Sequence, residues 1–101
     1  MTLLDLSGRT LTVGGELLEL AVGTHLMTRQ IEIAVSFEGA PRGTITVPVH
    51  GVDDLADGEI LAKTSPQNAL LIDAARATGW FETTGRRVDL GFCVAEVWRL
   101  S

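Results

Sequence analysis

A chain of 101 residues, 46% of them hydrophobic and 21% charged, with a net charge of −5, is one domain's worth of sequence and can bury a core without covalent staples. One cysteine excludes an internal disulfide, and no apolar run approaches the ~20 residues that a spanning helix needs. Only Arg86 and Arg87 are adjacent among the basic residues, so neither a phosphate backbone nor an anionic membrane finds the cluster of cations it requires.

These limits predict a single domain over residues 1–101, with neither nucleic acid nor membrane as a partner. No basic segment precedes an apolar run at the start, and a lone thiol suits a reducing compartment, so the expected location is cytoplasmic. Mean hydropathy is +0.26, more apolar than so short a monomer readily hides. Self-association is the simplest outlet for that surplus.

In chain order, Ser7-Gly8 and Gly14-Gly15 read as two-residue hairpin loops. Taken literally, they set Leu6 opposite Arg9, Leu4 opposite Leu11, Val13 opposite Glu16 and Leu11 opposite Leu18. Alternation then gathers Leu4, Leu6, Leu11, Val13, Leu18 and Leu20 on one face, with Asp5, Thr10, Thr12 and Glu19 on the other. Leu17, Leu20 and Ala21 also fit helical spacing over 16–22, but the shared apolar face favours a strand.

Residues 23–29 read as a loop. Residues 30–38 alternate cleanly, with Ile31, Ile33, Val35 and Phe37 on one side, the pattern of a half-buried antiparallel strand. A five-residue turn is expected at 39–43, answered by a strand at 44–50 with Ile45, Val47 and Val49 inward. Pro48 puts that strand at an edge or at a bulge.

An acidic turn at 51–58 and a short strand at 59–63 lead to the helix, predicted over 66–78. Ser65 is a favoured N-cap, Pro66 is pre-set for the first helical position and Gly79 supplies the left-handed stop. Leu70, Ala74 and Ala77 form the expected buried stripe, with Leu71 and Ala75 beside it, and Asp73 can pair with Arg76. A final hairpin turning at Thr84-Gly85 would set Glu82 against Arg87 and Phe81 against Val88, and Gly91 suggests a bulge. The stretch 92–100 is apolar on both faces, which belongs at the centre of a sheet.

The fold class that follows is α+β: a strongly curved, mostly antiparallel sheet or small partly open barrel of about six to eight short strands, with one helix packed across it.

No catalytic, metal or nucleotide motif emerges. His25 and His50 lack the third and fourth ligands of a metal site. The acidic run Asp53, Asp54, Asp57, Glu59 fails as a calcium loop, because Leu55 and Thr64 stand where oxygen ligands must be. Cys93, in an apolar run, has no neighbour to activate its thiol. Ser7, Ser36 and Ser65 have no base in view, and Ser65 is explained by capping. Lys63 and Thr64 at the helix start are a thin basis for an anion site. No cofactor is expected.

The residue types that dominate binding hot spots, aromatics and Arg, gather in the last third: Trp80, Arg87, Trp98 and Arg99, with Phe81. A core role for both Trp residues is the simpler explanation, since few aromatics exist to fill the interior. The leading expectation is therefore a non-catalytic protein-interaction module that self-associates through a strand edge or the aromatic-rich face. One alternative is a small-ligand binder or minor enzyme with a pocket between helix and sheet, lined by those four residues. Another is an accessory or inhibitor protein of the phage or mobile-element type.

Overall fold

A computed structural model describes residues 8–24, 27, 29–47, 55–56, 58–91 and 94–100. Among them are seven strands in two antiparallel sheets and one α-helix, an α+β fold whose core is mostly sheet. The first sheet has the order β1 (Thr10–Val13), β2 (Glu16–Thr24), β3 (Ile31–Phe37), β4 (Ala40–Thr44). The second has β7 (Val94–Leu100) between β5 (Glu59–Ala62) and β6 (Phe81–Asp89). The helix α1 (Ala69–Ala77) follows a 3-10 turn at Pro66–Asn68.

The sheets are joined by the chain that leaves β4. The Ile45 N–H donates to the Ile33 carbonyl at 2.9 Å, then Val47 N–H to Leu61 at 3.0 Å, and Lys63 N–H returns to Ile45 at 2.7 Å. Thr46 bridges to Ala62. One curved ladder thus runs from β1 to β6 without closing into a barrel, and α1 packs against both of its outermost strands.

Leu11, Leu20, Ile33, Ile45, Ile60 and Trp98 anchor the core between the sheets and α1. A smaller cluster of Leu61, Ala95 and Val97 lies on the other face of the second sheet. The central place of β7, with buried side chains on both faces, is the one its sequence predicts.

The Gly14-Gly15 hairpin has the expected register, Val13 opposite Glu16 and Leu11 opposite Leu18. Residues 16–24 are strand, not helix, and pair with β3 as far as Thr24 and Ile31, which shortens the loop expected at 23–29. Leu4, Leu6 and Ser7 of the first predicted turn, Pro48, Val49 and residues 92–93 lie outside the described residues.

The five-residue turn at 39–43 is overturned. Glu38 and Gly39, with φ of 51° and 83°, make a two-residue reversal, and Phe37 faces Ala40. The Pro and Gly residues that suggested a long turn lie in β4 itself, where Arg42 is an extra residue between the Ser36–Pro41 and Val35–Gly43 pairs. Pro41 can occupy a strand there because the bulge interrupts the ladder.

The Thr84-Gly85 hairpin is also overturned, since β6 runs through it. Thr83 faces Trp98 and Arg87 faces Glu96, so residues 84–86 lie opposite Val97 alone. Gly85 takes φ 85°, and Thr84 Oγ1 donates to the Val97 carbonyl at 2.7 Å, consuming locally the turn chemistry that suggested a reversal. Glu82 therefore faces Arg99, Phe81 faces Leu100 and Val88 faces Ala95. Gly91, expected at a bulge, instead belongs to the reversal between β6 and β7, its N–H held by Asp89 Oδ1 at 2.8 Å.

In α1 the buried residues are Leu71, Ile72 and Ala75, whereas Leu70 is 73% exposed and Ala77 is exposed. The buried face is thus turned away from Leu70 and Ala77 onto the flank of Leu71 and Ala75, with Ile72 joining them against the core. Ser65 precedes the 3-10 turn without a side-chain capping bond. Asn68 secures the start instead, its amide donating to the Thr44 and Lys63 carbonyls at 3.1 and 2.9 Å. Gly79 ends the element at φ 77°, as expected.

Candidate functional site

The four residues singled out in the sequence do not form one site. Trp98, on the inner face of β7, is wholly buried, with its ring centroid 5.5 Å from that of Phe81. Trp80 follows Gly79, packs half-buried against the core and carries the Arg9 guanidinium 5.4 Å above its ring. Arg99 points the other way from Trp98 along β7, exposed and 4.0 Å from Glu82. Arg87, exposed on β6, faces Glu96 on β7.

What ties Arg87 to Trp98 is Glu96, a residue the sequence reading missed. Its Oε1 accepts from Trp98 Nε1 at 3.0 Å, and both its oxygens accept from Arg76 Nη2 at 3.0 Å. The Arg76 guanidinium also lies 5.5 Å from the Trp98 ring and 3.8 Å from Asp73, the pair expected on the helix. Thus α1 is pinned to the second sheet by one carboxylate. The Trp98 indole, more than any other group, holds that carboxyl below its ordinary range, and the hydrogen bonds and charge of Arg76 and the charge of Arg87 add to this against the opposing effect of partial burial. The signal was present in the sequence: a Glu set between Ala95 and Val97 in a central strand, on the same face as Trp98, needs a partner.

Beside Glu96 a cleft of about 490 Å³ opens between the start of α1 and the β6–β7 pair. Its lining mixes apolar residues, Pro66, Ala69, Ile72 and Val94, with the charged Asp73, Arg76, Arg87 and Glu96. Thr64 Oγ1 donates to the Val94 carbonyl at 2.6 Å, tying the approach to the helix onto β7. A smaller recess of about 190 Å³ adjoins it across the β6 bulge and shares Arg87 and Glu96. The hydroxyl of Thr64 is committed and the Glu96 carboxylate is saturated with donors, so this arrangement offers charge and shape for recognition.

A second surface is the outer face of the first sheet. The registers bring Thr12 beside Leu17, Thr10 beside Glu19 and Ser36, and Ala21 beside Ala34. Leu17 is 58% exposed there. The remainder is small and neutral, with charges at Glu19 and Glu32.

Among the described residues, no group of three or more His, Cys, Asp and Glu side chains could hold a metal ion, and no helix is long and apolar enough to cross a membrane. His25, His50, Asp53, Asp54, Asp57 and Cys93 lie outside the described residues. Comparison with protein families, with curated proteins and with solved structures finds no match.

Proposed function

We propose that this protein is a non-catalytic interaction module that pairs with a second copy of itself through the outer face of the β1–β4 sheet. The observation that carries the reading is Leu17, a large apolar side chain more than half exposed beside Thr12 and Glu19 on a regular sheet face. The other two routes to association are poorly supported. Edge strand β6 is bulged and exposes Glu82, Arg86, Arg87 and Asp89, devices that discourage edge pairing. The aromatic route has little to offer, because Trp98 is internal.

A four-stranded face about 19 Å wide and about 20 Å long supplies roughly 400 Å². That is about half of a standard interface per partner, so the dimer is weak, with a dissociation constant of about 0.1–1 mM. A net charge of −5 on each copy opposes association, and added salt strengthens it. The single cysteine suits the reducing cytoplasm, where this reading places the protein, and the separated cations leave nucleic acid out of it.

Sedimentation equilibrium tests the proposal. Wild type should associate reversibly, more tightly at higher salt, and Leu17→Lys should remain monomeric with an unchanged melting temperature. A wild type that stays monomeric up to about 2 mM, beyond the estimated dissociation constant, overturns it.

A further inference from the structure

We propose that the cleft between α1 and the β6–β7 pair is a binding site for an apolar monocarboxylate, held at its carboxylate by Arg87. This goes beyond self-association and uses a different face of the molecule.

The first argument is the state of the cleft's charges. Arg76 is engaged by Glu96 at 3.0 Å and by Asp73 at 3.8 Å. Glu96 has both oxygens occupied by Arg76 and Trp98. In the adjoining recess Arg86 lies 3.7 Å from Glu59. Arg87 differs. It feels the charge of Glu96, yet its guanidinium makes no hydrogen bond or ion pair with a described residue. An exposed guanidinium on the wall of a cleft, with its forked donors unfilled, matches an oxyanion.

The backbone places it there. Residues 84–86 stand opposite Val97 alone, so β6 gains two residues over β7 and Arg87 returns to the same face as Thr83. With an even number of extra residues the alternation is preserved; with a single one, Arg87 would have turned to the opposite face.

The second argument selects among oxyanions. Asp73 and Glu96 line the same cleft and offset the charges of Arg76 and Arg87, so the lining has no net positive charge to offset the larger desolvation cost of a dianion such as phosphate. The lining also holds hydrocarbon, from Pro66, Ala69, Ile72 and Val94, and Val94 is 42% exposed although it belongs to the central strand. One end of the ligand is therefore a carboxylate and the other is apolar. A volume of about 490 Å³ lies within the range of small-ligand pockets. The same chemistry occurs in a free short-chain acid and in the apolar C-terminal residue of a peptide.

Titration of the labelled protein followed by backbone amide shifts tests the site. Hexanoate should move the Ala69, Ile72 and Val94 signals with a dissociation constant of about 1–10 mM, while hexanol should not. Arg87→Gln should weaken hexanoate at least tenfold, and Arg99→Gln, on the opposite face of the second sheet, should leave it unchanged. N-acetyl-Val-Leu binding more tightly than hexanoate, with its C-terminal amide inert, identifies a peptide terminus as the source; the reverse order identifies a free acid. The Leu17→Lys variant should bind hexanoate as wild type does, which separates this site from self-association. Equal shifts from hexanol, or undiminished binding by Arg87→Gln, overturn the proposal.

Discussion

Thr46 does a task that no backbone group is placed to do. It is 2% exposed, and its Oγ1 accepts the Ile33 N–H at 3.0 Å where the chain passes from the first sheet to the second. Thr46→Val keeps the shape and removes the acceptor, leaving a buried N–H without a partner. Urea denaturation should report a loss of about 1–3 kcal/mol for Thr46→Val and a much smaller one for Thr46→Ser. Glu96 is the other residue on which much turns. Its folded carboxyl lies below the unfolded value, so its contribution is complete above the unfolded value, near pH 4.3, and is lost as pH falls through the folded one. Glu96→Gln should therefore be less stable than wild type at pH 7, with the gap narrowing steadily below about pH 4.3. A gap that stays constant to pH 2 would mean that the carboxylate's charge is irrelevant and only its shape matters. Neither role was readable in full: a Thr in a β-rich segment and a Glu among apolar neighbours are visible, and Trp98 stands only two residues from Glu96, but Ile33 and Arg76, 13 and 20 residues away, are chosen by the fold.

At the scale of the element, α1 separates what spacing reveals from what it conceals. Pro66 opens the 3-10 turn that leads into it and Gly79 follows its end, because each acts through its own backbone geometry. The buried face is chosen by what packs against the helix, and that packing exposes Leu70 and buries Ile72. Differential stability measures this directly. Ile72→Ala should cost about 2–5 kcal/mol, and Leu70→Ala less than about 0.5 kcal/mol. Comparable losses at the two positions would place the helix in the phase that simple counting suggests. The hairpins give the same lesson. Gly14-Gly15 reverses the chain, whereas Thr84-Gly85, of similar turn chemistry, bulges, because β7 is there to pair with both halves of β6.

For the whole molecule, the decisive feature is that neither sheet is independent. Bonds from Ile45, Val47 and Lys63 join them, and Ile45, Ile60, Leu71 and Trp98, drawn from both sheets and the helix, share one core. The expected consequence is a single cooperative transition. Melting curves followed by Trp fluorescence and by far-ultraviolet circular dichroism should coincide, with a heat-capacity increment of about 1.2–1.5 kcal/mol/K. Two resolved transitions would mean that the sheets unfold separately. The most protected amides should be those of Ile33, Ile45 and Leu61, which lie at or beside the seam.

Local chemistry alone settled the α+β class, the alternation of β3, the Gly14-Gly15 hairpin, the end of the helix at Gly79 and the central position of β7. Each of these depends on side-chain period or on one residue's own φ preference, and both are written along the chain. Tertiary structure decided which turn-prone pairs reverse and which bulge, the phase of α1, the seam through Thr46 and the gathering of Arg76, Arg87 and Trp98 around Glu96. These depend on partners distant in sequence, and a hydrogen bond's or an ion pair's second member is chosen by packing, about which neighbouring residues carry no information.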